Sequence, residues 1–495
     1  CVRHGTMKVD YRGSIPVTSL KLQETSLNCI GGEWVDAADH EVVKLPYDGT
    51  PVGVVPQADT GAVDKAVAAA RQALAQMREM GNCDRADLLL GIADLLKRDV
   101  AEYAQLICAE TGKPAKEARV EAERSHSTLL AAAHEARQLH GEVVPMDFAP
   151  TGKGRMAVTV REPLGVIGCI TPFNFPLNLA LHKVAPALAA GNAVVHKPAT
   201  KTPLSAARLA RTMEEAGAPK GAYNLITGSG ARLGMAMAEH PGIAMLTFTG
   251  SAEVGRIIKS RAGFKKVTLE LGNNGAVIVE PEADLATVAA RTTQGAFAHS
   301  GQVCISVQRV FAHRSIAGEL VERLKAAAEA LKIGHPYEET TDISSLIDEG
   351  EAIRIQQWIA EARAGGAKVV TGGTRQFATI RPAVLVDVPA ACRISCQEAF
   401  GPVVAVYTYE NLDDAIDRAN ATPYGLQAGI FTNDIQRAFR AARRLEVGGV
   451  MINDIPMYRA DHMPYGGVKE SGTGREGPRY AIEEMTEMKL ICWKV

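Results

Sequence analysis

From residue 165 onward the hydrophobic period of the chain changes, and this change restricts the fold to one class. Short apolar runs over 165–170, 193–195, 223–226, 245–249 and 267–269 alternate with stretches of helical period over 203–216 and 253–261. An apolar run of that length bounded by turn residues reads as a buried strand, and strands alternating with helices return parallel to one another. The expected fold class is therefore α/β, a parallel sheet with helices on both faces. Upstream, Val63, Val67, Ala70 and Leu74 recur at helical spacing behind a cap at Asp59 or Thr60. Leu88, Ile92, Leu95 and Leu96 line one face of a second helix. Downstream a further series follows, with a helix expected over 285–298, a strand over 307–313, a helix over 316–331 and strands over 367–370, 403–409 and 449–452. Two successive α/β blocks without a low-complexity tract or a Pro/Gly/Ser-rich linker predict two large, tightly joined domains. Residues 141–162 and 485–493 read as extended and belong to neither block. Orphan strands of this kind find a partner, and another subunit is the expected one.

Composition narrows the class of protein. The 495 residues include 54 Lys+Arg and 56 Asp+Glu, a net charge of −2, which argues against a nucleic-acid binder, whose phosphate contacts need a basic surplus. The chain has no apolar run of the roughly 20 residues that span a bilayer, and no charged-then-apolar leader, so no membrane partner is expected. The 9 cysteines are odd in number and widely scattered, with no C-x-x-C pair. This excludes a disulfide scaffold or a zinc ribbon, predicts no metal site, and favours the reducing cytoplasm. Residues 1–6, ahead of Met7, are set aside as extraneous to the fold.

A βαβ sheet invites a search for a phosphate-cradling loop. Gly472-Thr-Gly474-Arg-Glu-Gly477 has the G-x-G-x-x-G spacing but follows no strand, so the required geometry fails. Gly228-Ser-Gly230 with Gly234 stands between a strand and a helix and misses the spacing by one residue. Phe248-Thr-Gly250-Ser251-Ala-Glu-Val-Gly255 is the better candidate, because there a strand ends in Gly-Ser as a helix begins, and helix N-termini attract anions. On its own the same motif is also a tight turn with Ser251 as a plain cap. Cys304, in Gly301-Gln-Val303-Cys304-Ile-Ser, lies in a glycine-containing turn between a helix and a strand, where backbone N–H groups can serve a thiolate or an oxyanion. A lone cysteine is otherwise a small apolar core residue. Glu270 ends a strand as Leu-Glu270-Leu271-Gly, and partial desolvation there raises a carboxylate toward base duty. Asn174 follows a strand in the rigid loop Thr171-Pro172-Phe173-Asn174-Phe175-Pro, where an amide can donate to a developing oxyanion.

Seven motifs occur in a familiar order: Thr-Pro-Phe-Asn-Phe-Pro, His-Lys197-Pro-Ala, Phe-Thr-Gly-Ser-x-x-Val-Gly, Leu-Glu-Leu-Gly, Gly-Gln-x-Cys, Glu398-x-Phe400-Gly-Pro and Pro-Tyr-Gly-Gly-x-Lys-x-Ser-Gly. Together they resemble the aldehyde dehydrogenase superfamily over nearly the whole chain. The resemblance implies a Rossmann-like cofactor domain over 26–140 and 162–270, and a catalytic domain over 271–484. It also implies a small β oligomerisation segment over 141–161 and 485–495 that builds a homodimer or homotetramer. It implies that Cys304 attacks a small aldehyde, that Asn174 and the Cys304 N–H hold the oxyanion, that Glu270 activates water against the thioester, and that Lys183 relays protons to Glu270. For the cofactor, NADP or NAD, it implies Lys197 at the adenosine ribose, Ser251 at the pyrophosphate and Glu398 at the nicotinamide ribose. Ile170, Thr171, Pro172, Phe173, Thr200, Gly230, Gly250, Leu271 and Phe400 complete the implied cofactor bed.

Departures from the pattern carry information. Strict NAD users of this superfamily often place Glu three residues after the lysine, and here that position is Thr200, which leaves room for a 2′-phosphate. Asn273-Asn274 stands where Gly-Lys is common, with no functional account from sequence. Arg124 and Arg459 fall where the substrate tunnel is expected, and together they point to an anionic aldehyde, since Arg recognises carboxylate and phosphate bidentately. The loop Arg459-Ala-Asp-His-Met-Pro resembles a subgroup that includes lactaldehyde, phosphonoacetaldehyde and glyceraldehyde-3-phosphate dehydrogenases. Phe175 and Val303, near the reacting carbon, add no charge, which favours a small hydroxy- or carboxy-aldehyde over a doubly charged phosphonate. Competing readings are a coenzyme A-acylating relative, a non-catalytic structural homologue and a cysteine hydrolase.

Overall fold

A computed structural model describes residues 26–495. The segment 1–6 set aside above lies outside the described residues. Two large sheets carry the chain. The first has eight strands, in the order Glu33–Val35, Asn28–Ile30, Tyr223–Leu225, Ala193–Lys197, Val166–Ile170, Met245–Thr249, Lys266–Glu270 and Gly472–Thr473. Its five central strands are mutually parallel. Among these five the chain starts at Val166–Ile170, steps outward one way through two strands, then returns to build the other side from Met245–Thr249. In a sheet of this kind the order reverses between those two neighbours, and the crevice at their C-terminal ends is where ligands bind. The loops that open there are Thr171–Phe175 and Gly250–Ser251.

The second sheet has seven strands, with Gly275–Val279 flanked by Val307–His313 on one side and Gln427–Phe431 on the other. All its pairs are parallel except the edge strand Lys368–Thr371, which runs antiparallel to Ala383–Val386. Only residues 271–274 separate the last parallel strand of the first sheet from the first strand of the second. The C-terminal edge of one sheet is thereby tied to the N-terminal edge of the other, which brings Glu270 and the turn before Val307 to one interface.

Helices match their sequence signals where the period is long. The helix Thr60–Glu79 is capped by Asp59, whose carboxylate accepts the Ala62 N–H at 3.1 Å. It buries Val63, Val67 and Ala70 against the first sheet. The helix Asn82–Arg98 buries Leu88, Ile92 and Leu96 in the large core cluster, and Leu95 stays half-buried. Val100–Thr111 and Glu349–Ala364 are helices without a reading from sequence, as are the short antiparallel strands between residues 28 and 56. Strands of three to six residues are too short to establish a period reliably distinct from a loop.

Two differences bear on domain organisation. The chain returns to the first sheet near its end: Gly472–Thr473 pairs antiparallel with Leu269 and Glu270. The helix Pro478–Glu484 then packs on Asn178–Ala189. These residues follow the second block in sequence yet stand with the first in space, so the 271–484 division does not describe the packing of its last residues. The orphan segments differ as well. Residues 141–162 are not one extended run; they form the short strand Val143–Val144, two single turns of 3-10 helix and the long strand Arg155–Pro163. That strand pairs over nine residues with Thr486–Lys494 of the same chain, so the first partner of each orphan segment is the other.

Candidate active site

Cys304 stands where two cavities meet. One, of about 450 Å³, opens at the crevice of the first sheet and is lined by Pro172, Phe173, Asn174, Gly250, Ser251, Glu270, Leu271, Glu398 and Phe400 along with Cys304. The other, of about 310 Å³, reaches Cys304 from the opposite side and is lined by Lys113, Glu117, Glu121, Arg124, Phe175, His299, Val303, Met457, Arg459 and Tyr465. A long molecule in the first and a small one in the second would converge on Sγ.

The turn carrying Cys304 is held rigidly. His299 and Ser300 have φ of 47° and 54°, and Gly301 has φ of 74°. A Cβ on Gly301 would lie 2.2 Å from the Gly401 carbonyl oxygen, so the Gly-Pro of the Glu-Ala-Phe-Gly-Pro segment can seat only against a glycine. Gln302 fixes the next step: its amide accepts the Ile347 N–H at 2.8 Å, and its own carbonyl accepts from Asn174 Nδ2 at 2.9 Å. Asn174 is thus locked beside the nucleophile with a second amide hydrogen to spare. The Cys304 backbone N–H has no acceptor among the described residues. The Asn174 amide and the Cys304 N–H therefore each keep a hydrogen without a competing acceptor among the described residues, and both residues line the larger cavity.

Burial pushes the Cys304 thiol up to about 12, against a hydrogen bond from Tyr465 and the charge of Arg459, which pull it down. The Tyr465 hydroxyl lies 3.0 Å from Sγ. Glu270, 3% exposed, has neither carboxylate oxygen paired, and burial followed by the charge of Glu476 raises its pKa well above the ordinary carboxylate value. An unpaired buried carboxylate is costly, and one with a strongly raised pKa that shares a cavity with a cysteine is a candidate functional group.

Lys183 departs from its expected place. Its Nζ lies 2.6 Å from Glu476 Oε1, not on Glu270, and Arg459 Nη2 approaches Glu476 Oε2 at 3.1 Å. Lys183 and Arg459 overcome burial and hold Glu476 below its usual range, so this carboxylate stays charged behind Glu270. Sequence reasoning missed Glu476. Its neighbours Gly474 and Arg475 carry no helix or strand period, and its partners are remote in sequence.

On the cofactor side, Ser251 accepts the Val254 N–H at 3.3 Å, so it is the plain helix cap that its motif also allowed, and it lines the larger cavity as well. Glu398 accepts the Asn273 N–H at 3.0 Å, and burial raises its carboxyl to about 7. A Cβ on Gly272 would lie 2.3 Å from Glu398 Oε2, which explains the glycine of Leu-Glu-Leu-Gly. Asn273 and Asn274 now have a role. The Asn273 side chain bonds the Gln427 carbonyl and the Leu426 N–H, and that of Asn274 bonds the Gln397 carbonyl at 2.6 Å. The pair pins the bridge between the two sheets. Phe173 and Phe400 meet edge to face at 5.8 Å across the cavity.

Lys197, Thr200 and Gly230 form a second group outside that lining. Lys197 Nζ donates to the Pro198 and Gly228 carbonyls, Thr200 Oγ1 donates to the same Gly228 oxygen, and Gly230 abuts the lysine stem. Among the described residues no carboxylate pairs with Lys197, and burial lowers its ammonium to about 8. A buried cation met by backbone carbonyls alone among the described residues, an exposed helix N-terminus and the unpartnered Thr249 hydroxyl suit an anionic dinucleotide such as NAD(P). Ile170 and Thr171 do not line the cavity; Ile170 is buried core, and Thr171 bonds His196 Nε2 at 2.9 Å.

Comparison with known proteins decides the family. The signature of the Aldehyde dehydrogenase family matches residues 34–491. This chain belongs to the aldehyde dehydrogenase family. The 3-sulfolactaldehyde dehydrogenase of Priestia aryabhattai is 47% identical over 462 residues, covering 93% of this chain and 96% of that one. The crystal structure of NADP-dependent glyceraldehyde-3-phosphate dehydrogenase from Bacillus halodurans, complexed with NADP, superposes with a TM-score of 0.93 at 38% identity, covering 95% of this chain and all of that one (100%). Aldehyde dehydrogenase 21 from Physcomitrella patens, in complex with the reaction product succinate, superposes with a TM-score of 0.92 at 39% identity over 95% of this chain and 98% of that one. As an aldehyde dehydrogenase fold, the α/β architecture read from the sequence is the observed one.

Arg124, Phe175, Val303 and Arg459, the four substrate-side residues expected from sequence, all line the smaller cavity with Cys304. Both arginines already hold carboxylates. Arg124 grips Asp461 through Nε and Nη2, at 3.2 and 2.8 Å, and Asp461 also accepts from His182 and Asn178. Arg459 holds Glu476 yet leaves a buried Nε without a partner. Lys113, fully buried, pairs with Glu121 at 2.5 Å and lies 3.7 Å over the Phe175 ring. The anion-binding capacity of the cavity is therefore the donors left over from these pairs.

Proposed function

We propose that the protein oxidises a small aldehyde bearing a single anionic or hydroxyl group to its carboxylic acid, with NAD or NADP as hydride acceptor and water as acyl acceptor. The observation that carries this reading is Cys304 at the junction of two cavities, with donors for an oxyanion beside it and an unpaired buried carboxylate in reach.

Cys304 as thiolate attacks the aldehyde carbon. The carbonyl pair moves onto oxygen, where the Asn174 amide and the Cys304 N–H receive it. As the oxyanion re-forms the C=O bond, the tetrahedral carbon loses its hydrogen as hydride, which a bound nicotinamide would accept, and the acyl group is left on Cys304 as a thioester. Phe173, Phe400 and Leu271 wall its cavity with apolar surface, and Glu398 presents a carboxylate there for a hydroxyl. Glu270 then takes a proton from water, whose oxygen attacks the thioester carbon. The C–S bond breaks, and Cys304 leaves with the electron pair. A coenzyme A acceptor has no use for the unpaired Glu270 base, which favours hydrolysis over acyl transfer.

For the substrate, the free Nε of Arg459 and the unused edge of Arg124 offer a few donors and little net positive charge. A singly charged sulfonate or carboxylate, or a hydroxyl, suits that balance. The relative at 47% identity is named for a substrate of that chemistry. Absorbance of the reduced nicotinamide on a panel of sulfolactaldehyde, lactaldehyde, succinic semialdehyde and glyceraldehyde-3-phosphate is the test. The highest kcat/KM is expected for a singly charged three- or four-carbon aldehyde. Formation of no reduced cofactor from any of them would refute the activity.

Cofactor choice gives a second expectation. With Thr200 beside an un-neutralised Lys197, NADP should be used within about tenfold of NAD, roughly 1.4 kcal/mol. Thr200→Glu should shift the preference toward NAD by repelling the 2′-phosphate. Outright rejection of NADP by the natural protein would mean that another side chain closes the pocket.

Assembly follows from the strand Thr486–Lys494. It is an edge strand, and Met488, Leu490, Ile491 and Trp493 are 52%, 57%, 45% and 41% exposed. An edge of that composition needs cover, and a second copy supplies it in a homodimer, or in a dimer of dimers. Covering these side chains contributes on the order of 1.5–3 kcal/mol each. Deleting residues 487–495 should yield insoluble or inactive protein, and a soluble active monomer by light scattering would overturn the assignment. No helix among the described residues is long and apolar enough to cross a membrane. The scattered cysteines, free in every described case, favour the cytoplasm.

A further inference from the structure

We propose that Tyr465 is a catalytic residue: its hydroxyl donates the hydrogen bond that stabilises the Cys304 sulfur as a thiolate once its proton has left. The inference rests on Cys304 being the nucleophile. The sulfur has few ways to carry charge. Val303, Ile305 and Tyr465 are buried around it, with Phe175 and Met457 packed alongside, and they form an apolar nest. The two donors of the oxyanion hole are committed to the substrate oxygen. Negative charge on Glu398 or Glu270 opposes a thiolate there, and the charge of Arg459 favours one. Among the described residues, the Tyr465 hydroxyl at 3.0 Å is the hydrogen-bond partner of Sγ.

Two features prepare this phenol as a donor. Tyr465 is buried at 2% exposure, and its backbone is fixed by reciprocal hydrogen bonds with Glu476 at 3.0 and 2.7 Å, so the ring cannot turn away. The Arg459 guanidinium stacks 3.7 Å above the ring, and a cation on the ring face draws electron density from it and makes the O–H a stronger donor. The phenol keeps its proton, because burial and then the neighbouring thiol drive its ionisation well above the ordinary value. The same hydrogen bond receives charge a second time when the thioester breaks and Cys304 is the leaving group.

Tyr465→Phe tests this while retaining the ring and the Arg459 stack. The readout is the pH dependence of Cys304 carboxamidomethylation by iodoacetamide in the full chain. The Cys304 peptide is followed by mass spectrometry, because Cys83, Cys396 and Cys492 are also accessible. Loss of a hydrogen bond to a buried charge should lower the rate of Cys304 alkylation at a fixed pH below the midpoint by about ten- to a hundredfold, equivalent to moving the midpoint up by about one to two pH units. The acid limb of kcat/KM should move with it, at unchanged NAD(P) affinity. Should the variant fold poorly, the natural sequence with 3-fluorotyrosine in place of tyrosine, whose hydroxyl is more acidic, should move the midpoint down. An unmoved midpoint in either protein would overturn the proposal. Alkylation needs no turnover, so a shift in a protein that oxidises no aldehyde would support the hydrogen bond and refute the proposed activity separately.

Discussion

Cys304→Ala is expected to abolish aldehyde oxidation, with kcat falling by at least about 10⁴-fold, while NAD(P) binding persists. Removal of a covalent nucleophile eliminates the pathway itself, leaving only what the surrounding donors and binding groups contribute. Cofactor affinity is separable because the larger cavity is walled by Phe173, Phe400, Leu271 and the Gly250–Ser251 turn, and Cys304 touches it only at the end shared with the smaller one. Quenching of protein fluorescence by NAD(P)H measures the binding, and the absorbance assay measures turnover. Appreciable turnover in the variant would sink the assignment of Cys304. Loss of cofactor binding would mean that the thiol helps to shape the cavity.

Glu270→Gln should uncouple the two halves of the reaction. Hydride release precedes water activation, so mixing enzyme, aldehyde and NAD(P) should give a burst of NAD(P)H close to one equivalent per site. Steady turnover should then fall by about 10²–10⁴-fold, the usual contribution of a positioned general base. The amide preserves the shape of the site, and Glu476 remains paired with Lys183 and Arg459. In the natural protein burial, and then the charge of Glu476, raises the Glu270 pKa, so the base is protonated and idle at low pH. Steady turnover should accordingly rise with pH, and that rise should be lost in the glutamine variant. Disappearance of the burst together with turnover would place Glu270 earlier in the reaction, at the thiol itself.

Much of this protein was legible before any coordinates. The apolar runs at 165–170, 193–195 and 245–249 are strands because buried parallel strands need continuous apolar side chains, a local property of the sequence. Asp59 caps its helix for an equally local reason. Cys304, Glu270 and Asn174 stand out in the sequence through the family motifs that carry them, and the fold brings all three to the lining of one cavity. Tertiary structure alone decided which charges meet. Lys183 and Arg459 converge on Glu476, and Arg124 on Asp461, across separations in sequence that no periodicity spans. Arg124 and Arg459 read as free cations in the chain, but packing assigns each a carboxylate: the buried Arg459 meets Glu476, and the partly exposed Arg124 meets Asp461. Asn273-Asn274 had no meaning until the two sheets were joined end to end and their carbonyls needed donors. The return of Gly472–Thr473 to the first sheet, and the pairing of Arg155–Pro163 with Thr486–Lys494, were hidden for the same reason. Local sequence encodes which segments become strands and helices through short-range sterics and burial, whereas pairing between distant segments is settled only when the whole core closes.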